Sequence, residues 1–238
     1  MKKYKYDLHI HSALSPCADI LMSPNNILNM AYLNELDIVA ITDHNSLKQT
    51  FVSSDLARSY QFLYVFGVEV ASKENYHILC FFRTIEDAKD FDHHLEMDFH
   101  DKDKKATCHD QIIFDEYDNE LYQYQQNLFL SSSFGVKEIK EMVDQKKGIT
   151  VLAHVERYSR EMILEALKNS EAFHAFEINK RSNYEEFLKE YPKILNHKVL
   201  RNSDSHFINQ MTKEHYTIEL DDLNVSALFE YFRREGND

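Results

Sequence analysis

Cysteine is scarce. The 238 residues include three, Cys17, Cys80 and Cys108, and they lie far apart. Three cannot all pair, so a disulfide scaffold is excluded and a reducing cytoplasm is the expected setting. Long apolar runs are missing too. None approaches the ~20 residues of a membrane span, and residues 1–7 lack the apolar stretch of a secretory leader. Neither a membrane partner nor export is expected. Internal repeats and low-complexity stretches are absent. Positive charge is also short: 27 Lys and Arg face 40 Asp and Glu, for a formal net charge of −13. That balance argues against the broad basic surface that grips duplex nucleic acid, so no duplex partner is expected. It leaves room for a small phosphorylated substrate, because divalent ions in a cleft would restore positive charge locally.

Histidine and acid occur in short blocks. In order they are Asp7-Leu8-His9-Ile10-His11, Asp19, Thr42-Asp43-His44, Gly67-Val68-Glu69, Tyr76-His77, Ala153-His154 and Ser203-Asp204-Ser205-His206. Imidazole and carboxylate hold catalytic divalent metals. The candidate ligands are His9, His11, Asp19, His44, Glu69, His77, His154, Asp204 and His206. They are too many for one ion and suit two or three. Alternate residues of a strand share a face, so His9 and His11 reach the same ion, and Asp204 and His206 repeat the spacing. The blocks follow or end apolar runs at 36–41, 62–66 and 149–152. Polar groups at the ends of buried strands are expected where an α/β fold gathers its site at the carboxyl ends of its strands. Glu69 follows an apolar run and a glycine, where an unpaired buried carboxylate would be costly and a metal would remove the cost. Asp7 and Asp43 are expected to orient neighbours rather than bind, and Cys17 to be a small residue in a tight loop. His93, His94, His100, His109, His174, His197 and His215 stand outside the blocks and read as ordinary surface or core residues.

The ordered set resembles the PHP superfamily, named for polymerase and histidinol phosphatase. Asp7-Leu8-His9-Ile10-His11-Ser12 and Ile41-Thr42-Asp43-His44 carry the resemblance most specifically, and the motifs run from Asp7 to His206. The resemblance implies a distorted (β/α)7 TIM-like barrel with a trinuclear metal centre at the carboxyl-terminal mouth of its strands. It implies one metal on His9, His11, Glu69 and Asp204. A second would share Glu69 and add His77 and His154. A third would use His44, His206 and Asp19. Manganese, iron and zinc all suit such ligands.

The expected reaction is hydrolysis of a phosphate ester by water that the ions make nucleophilic. Glu69 bridges, and Asp19 or a site histidine, if not a bound water, protonates the leaving oxygen. Phosphate also calls for an arginine fork. Arg157 is the first candidate, then Lys180 and Arg181. The compact form of the family implies a nucleotide or a short 5′-phosphorylated oligonucleotide as substrate. Histidinol phosphate is the alternative, favoured by an acidic mouth. A metal-dependent amidohydrolase and a metal-binding module without turnover are the readings from other classes.

Ligands spread from residue 9 to 206 require that span to fold together, so one domain over 1–238 is expected. Helices are predicted from Ser23-Pro24, with Ile27, Leu28, Ala31 and Tyr32 inward, over 47–60, from a Ser133 cap to Gly148, and over 160–169, 183–190 and 226–233. Strands are predicted at 37–42, 173–178, 198–202 and 216–220. Residues 83–132 interrupt this βα rhythm. They are predicted to form a helical and hairpin insertion, turning at Asp118-Asn119, near enough to influence access to the mouth.

Overall fold

The computed structural model describes residues 1–100 and 111–234, so Cys108 and His109 lie outside the described residues. The chain opens with strand β1 (Lys2–Ile10) and helix α1 (Pro24–Leu33). Ser23 caps α1 by accepting from the Asn26 N–H, and proline takes the first turn, where its missing N–H costs nothing. Ile27, Leu28 and Ala31 are buried along that helix, whereas Tyr32 turns outward, its ring 6.0 Å from Tyr60. Next come β2 (Ile38–Ile41), α2 (Lys48–Ala57), β3 (Leu63–Tyr64), β4 (Phe66–Ala71), β5 (His77–Phe82) and α3 (Ile85–His100). Strands β6 (Ile112–Phe114) and β7 (Glu120–Gln123) make a hairpin, with Asp118 at φ 59° in its turn. The remainder is α4 (Val136–Gln145), β8 (Ile149–Leu152), α5 (Arg160–Lys168), β9 (Ala175–Glu177), α6 (Tyr184–Glu190), β10 (Lys198–Leu200), β11 (Tyr216–Leu220) and α7 (Val225–Arg233). Helix α4 is capped at Gly135, not Ser133. The Gly135 and Val136 N–H groups donate to Glu138 and Glu74, which satisfies the first turn from side chains further away.

The architecture is mixed α/β. Apart from the β6–β7 hairpin, the strands pair as two sheets, β11-β1-β2-β3 and β10-β9-β8-β5-β4, rather than as one continuous closed ladder. The βα rhythm also breaks: β5 runs antiparallel to both of its neighbours, β4 and β8, and β4 and β5 join through a short turn with Asn75 at φ 64°. Leu8 and Ala40 from the first sheet share one apolar cluster with Leu79, Val151, Ala175 and Leu200 from the second, so the sheets face a common core. Two parallel bridges, Ile10 with Ser205 and His44 with Glu69, join the sheets at one rim. Among the described residues, no helix is long and apolar enough to cross a membrane.

Candidate metal centre

The histidine and acid blocks meet along the seam between the two sheets. The His11 N–H donates to the Ser205 carbonyl at 2.9 Å, and the Asn45 N–H to the Glu69 carbonyl at 2.9 Å. Gly67 makes the second join possible. A Cβ there would lie 2.7 Å from Thr42 Cγ2 and 2.9 Å from the Phe81 ring, so only glycine lets β4 approach β2 this closely. Backbone strain collects at the same rim: Asn45, His154 and Asp204 adopt φ of 51°, 31° and 50°.

Four buried donor atoms converge there. His9 Nε2 and His11 Nε2 are 3.0 Å apart. Glu69 Oε2 and Asp204 Oδ1 each lie 3.4 Å from the His9 nitrogen and 3.2 Å from the His11 nitrogen. A tetrahedral ion with arms of 2.0–2.1 Å has donor–donor edges of about 3.3 Å. Glu69 Oε2 is buried and, though close to three imidazoles, makes no hydrogen bond of acceptable geometry. This donor set fits a divalent cation. The other Glu69 oxygen lies 2.9 Å from His77 Nδ1 and 3.0 Å from His154 Nε2. His77 begins β5 rather than ending a strand, and it reaches the same rim because β5 runs antiparallel to β4. His44 Nδ1 is 3.0 Å from Glu69 Oε2. His11, His44 and His206 form a further group of donors within 4.8 Å of one another.

The remaining expected residues fall as follows. The Asp19 N–H donates to the His206 carbonyl at 2.9 Å, and its Oδ1 accepts from the Leu21 N–H at 2.8 Å. Its carboxylate is not part of the donor groups found among the described residues. Arg157, half exposed on the turn after His154, pairs through Nη2 with Asp204 Oδ2 at 2.7 Å. The Lys180 Nζ is occupied by Thr212 and the Glu214 carbonyl. Asp43 holds a relay: it accepts from the Ser12 and Ser15 hydroxyls at 2.6 Å, and Ser15 Oγ sits 2.9 Å from His11 Nδ1. Asp7 Oδ1 accepts from the Ser203 N–H at 3.2 Å and the His9 N–H at 3.4 Å, so it steadies backbone rather than an imidazole.

Sequence reasoning missed Glu177. It ends β9, fully buried, with both carboxylate oxygens 3.0 Å from His9 Nδ1. The Asn202 side-chain N–H donates to its Oε2 at 2.7 Å. A buried acid fixing the far nitrogen of a candidate ligand is the partner metal-binding histidines use. The available signal was an acid inside an apolar strand.

Electrostatics divide the histidines. Burial opposes charge on His9 and His11, but carboxylates outweigh it: Glu177, Asp204 and Glu69 raise His9, and the adjacent Asp204 and Glu69 carboxylates push His11 up to about 9. Burial dominates at His44 and His206, pushed down to about 4 and about 3. Glu69 and Asp204 are held well below the usual carboxylate range; burial opposes this, and the surrounding imidazoles overcome it.

No protein-family model matches the chain. Among curated proteins, an uncharacterised protein of Methanocaldococcus jannaschii is 32% identical over 78 residues, 29% of this chain and 46% of that one. Solved structures match more fully. The lesion-specific endonuclease Q of Pyrococcus furiosus superposes with a TM-score of 0.68 at 17% identity, over 96% of this chain and 55% of that one. Endonuclease Q in complex with a 27-mer duplex, an abasic lesion at its active site, gives 0.64 at 18% identity, over 98% and 57%. A two-domain Bacteroides vulgatus protein containing a predicted PHP-like metal-dependent phosphoesterase gives 0.59 at 14% identity, over 97% and 62%. The chain thus spans just over half of each endonuclease and under half of the archaeal relative.

The fold is that of the PHP-like phosphoesterases and endonuclease Q, over nearly the whole chain, as the ordered motifs implied. The likeness overturns one expectation. A neighbour of this fold binds duplex DNA, so the acidic balance does not exclude a duplex partner. Net charge sums the whole surface, whereas a duplex is held by a local patch and by cations at the site.

Proposed function

We propose that this chain is a metal-dependent phosphoester hydrolase of the PHP superfamily that acts on a nucleotide or a 5′-phosphorylated oligonucleotide. The convergence of His9, His11, Glu69 and Asp204, at 3.0–3.4 Å spacings across the seam, carries the reading. These four would hold one ion. His77 and His154 would hold a second with Glu69, and His44 and His206 a third, with Asp19 as its acid. Divalent ions there would lower the pKa of water and neutralise phosphoryl charge. The residues do the rest. Glu177 fixes the His9 ring, and Ser15 with Asp43 fixes His11. Arg157, half exposed beside Asp204, presents further N–H donors to the phosphate. A water at the ions would protonate the leaving oxygen, with Asp19 or a site histidine as the alternative acid. In this reading the two rim bridges close seven strands into a distorted barrel, and residues 1–238 act as one unit with 83–132 as an insertion.

The likeness to endonuclease Q favours a second reading, cleavage within a lesion-bearing duplex by the same ions. One panel separates them: purified protein with manganese, given a nucleoside 3′,5′-bisphosphate, a 5′-phosphorylated short RNA, an abasic 27-mer duplex and histidinol phosphate. The expected result is product from the first or second, lost in His9→Ala. Cleavage of the duplex alone establishes the second reading. Turnover of histidinol phosphate alone, or of nothing with metals bound, overturns both.

A further inference from the structure

The segment after the β6–β7 hairpin supplies no candidate ligand, yet it places one aromatic side chain against the centre. Phe129 is 50% exposed, and its ring centroid lies 6.2 Å from that of His44, tilted by 32°. The His44 Nδ1 is itself 3.0 Å from Glu69 Oε2, so Phe129 stands one ring away from the converging donors. The backbone on both sides is clamped. The Asn45 side-chain amide donates to the Leu128 carbonyl at 2.9 Å and to the Leu130 carbonyl at 3.0 Å. The Leu128 N–H donates to Gln111 Oε1 at 3.0 Å, and the Leu128 side chain is buried with Leu14, Ile113 and Tyr124. Asn45 is fixed in turn: its Oδ1 accepts from the Ala71 N–H at 3.0 Å, and its own N–H donates to the Glu69 carbonyl. A half-exposed phenyl ring on a backbone held this firmly to the residue after His44 is a preorganised apolar face at the mouth.

We propose that Phe129 is the platform on which the substrate's base stacks, and that it sets a preference for nucleotides over base-free sugar phosphates. The inference rests on the hydrolase reading above. With the phosphate at the donor cluster, the base lies one ribose away, on the side where His44 separates the cluster from Phe129. Stacking on a phenyl face tolerates any base, so Phe129 selects for a base and not for its identity.

The sequence holds no tryptophan, so Phe129→Trp would carry the chain's only indole. In the metal-loaded F129W protein, a nucleoside 3′,5′-bisphosphate is expected to quench indole fluorescence and ribose 5-phosphate is not. In Phe129→Ala, the ratio of kcat/KM for the nucleotide to kcat/KM for ribose 5-phosphate is expected to fall about tenfold, and F129W to restore it. Hydrolysis of the nucleotide without quenching, or an Ala variant that changes both substrates equally, overturns the platform and leaves the hydrolase reading standing. Quenching by the nucleotide without hydrolysis by the wild type keeps the platform and removes the hydrolase reading. Neither quenching nor hydrolysis removes both.

Discussion

A histidine binds a cation well only when its other nitrogen is occupied and its ring cannot turn. His9 meets this condition through Glu177, whose two oxygens lie at 3.0 Å from Nδ1. His11 meets it through a neutral hydroxyl, Ser15, backed by Asp43. The carboxylate also raises ligand basicity, which a serine does less well. Glu177→Gln is therefore expected to keep the fold and lower metal affinity about 10–100-fold. Calorimetric titration of the metal-free protein with manganese or zinc reads this directly. Unchanged affinity would show that Glu177 serves only to bury the His9 ring. Glu177 also marks the limit of what single residues disclose. The approach of His9 and His11 was legible because their spacing and the period of β1 coincide, whereas Asp204 and His206 follow β10 outside any strand. Glu177 has no such companion in Ala175-Phe176-Glu177 and becomes visible only when the fold brings the end of β9, in the second sheet, to His9 on β1 in the first. Phe129 was hidden for the opposite reason, since an aromatic residue in a polar segment reads as local packing.

Among the elements, the seam decides whether the donors meet. Strand β4 carries Glu69 in the second sheet, His44 follows β2 in the first, and the bridge between them is the contact Gly67 permits. Helices and strands outside this region were largely legible, because a cap such as Ser23 and apolar stripes are local signals. The antiparallel turn at β4–β5 was not. It uses Asn75 in a left-handed conformation instead of glycine, and the strand pairing it sets depends on contacts distant in sequence. Gly67→Ala drives a methyl group into Thr42 and Phe81, and overpacking of this kind costs about 1–3 kcal/mol. Because the strain falls two residues from Glu69, metal affinity should drop with it. Gly148→Ala is the comparison. Its Cβ would meet Val143 Cγ1 at 2.6 Å and the Phe81 carbonyl oxygen at 2.7 Å, just before β8 and at the opposite end of that strand from His154, which follows it. It should lower the urea midpoint and leave the affinity of the folded protein unchanged. Equal loss of affinity in both variants would mean that general loosening, not the seam, controls the site.

The whole molecule carries a net charge of −13 and gathers several of its carboxylates and imidazoles at one rim. Ions bound there would tie the two sheets together as well as act on substrate. A ligand at 100 times its dissociation constant stabilises the folded state by about 2.7 kcal/mol per site, and a chain of this size shifts by roughly 2–4 °C per kcal/mol. Chelation is therefore expected to lower the melting temperature by roughly 5–10 °C for each site emptied. The gap should depend on pH. Without metal, His11 is pushed up to about 9, against about 6.5 in the unfolded chain. The native state then binds the extra proton, so this contribution is complete below pH 6.5 and fades as pH rises through 9. A bound cation must displace that proton, so metal stabilisation grows over the same interval. His44 and His206, pushed down to about 4 and about 3, need no deprotonation above pH 5 and leave the trend unaltered. Thermal melts with and without chelator at pH 6, 7 and 8 should show a gap that widens with pH. A constant gap would mean that the ions do not compete with the His9–His11 proton, and a gap that narrows would place them elsewhere on the molecule.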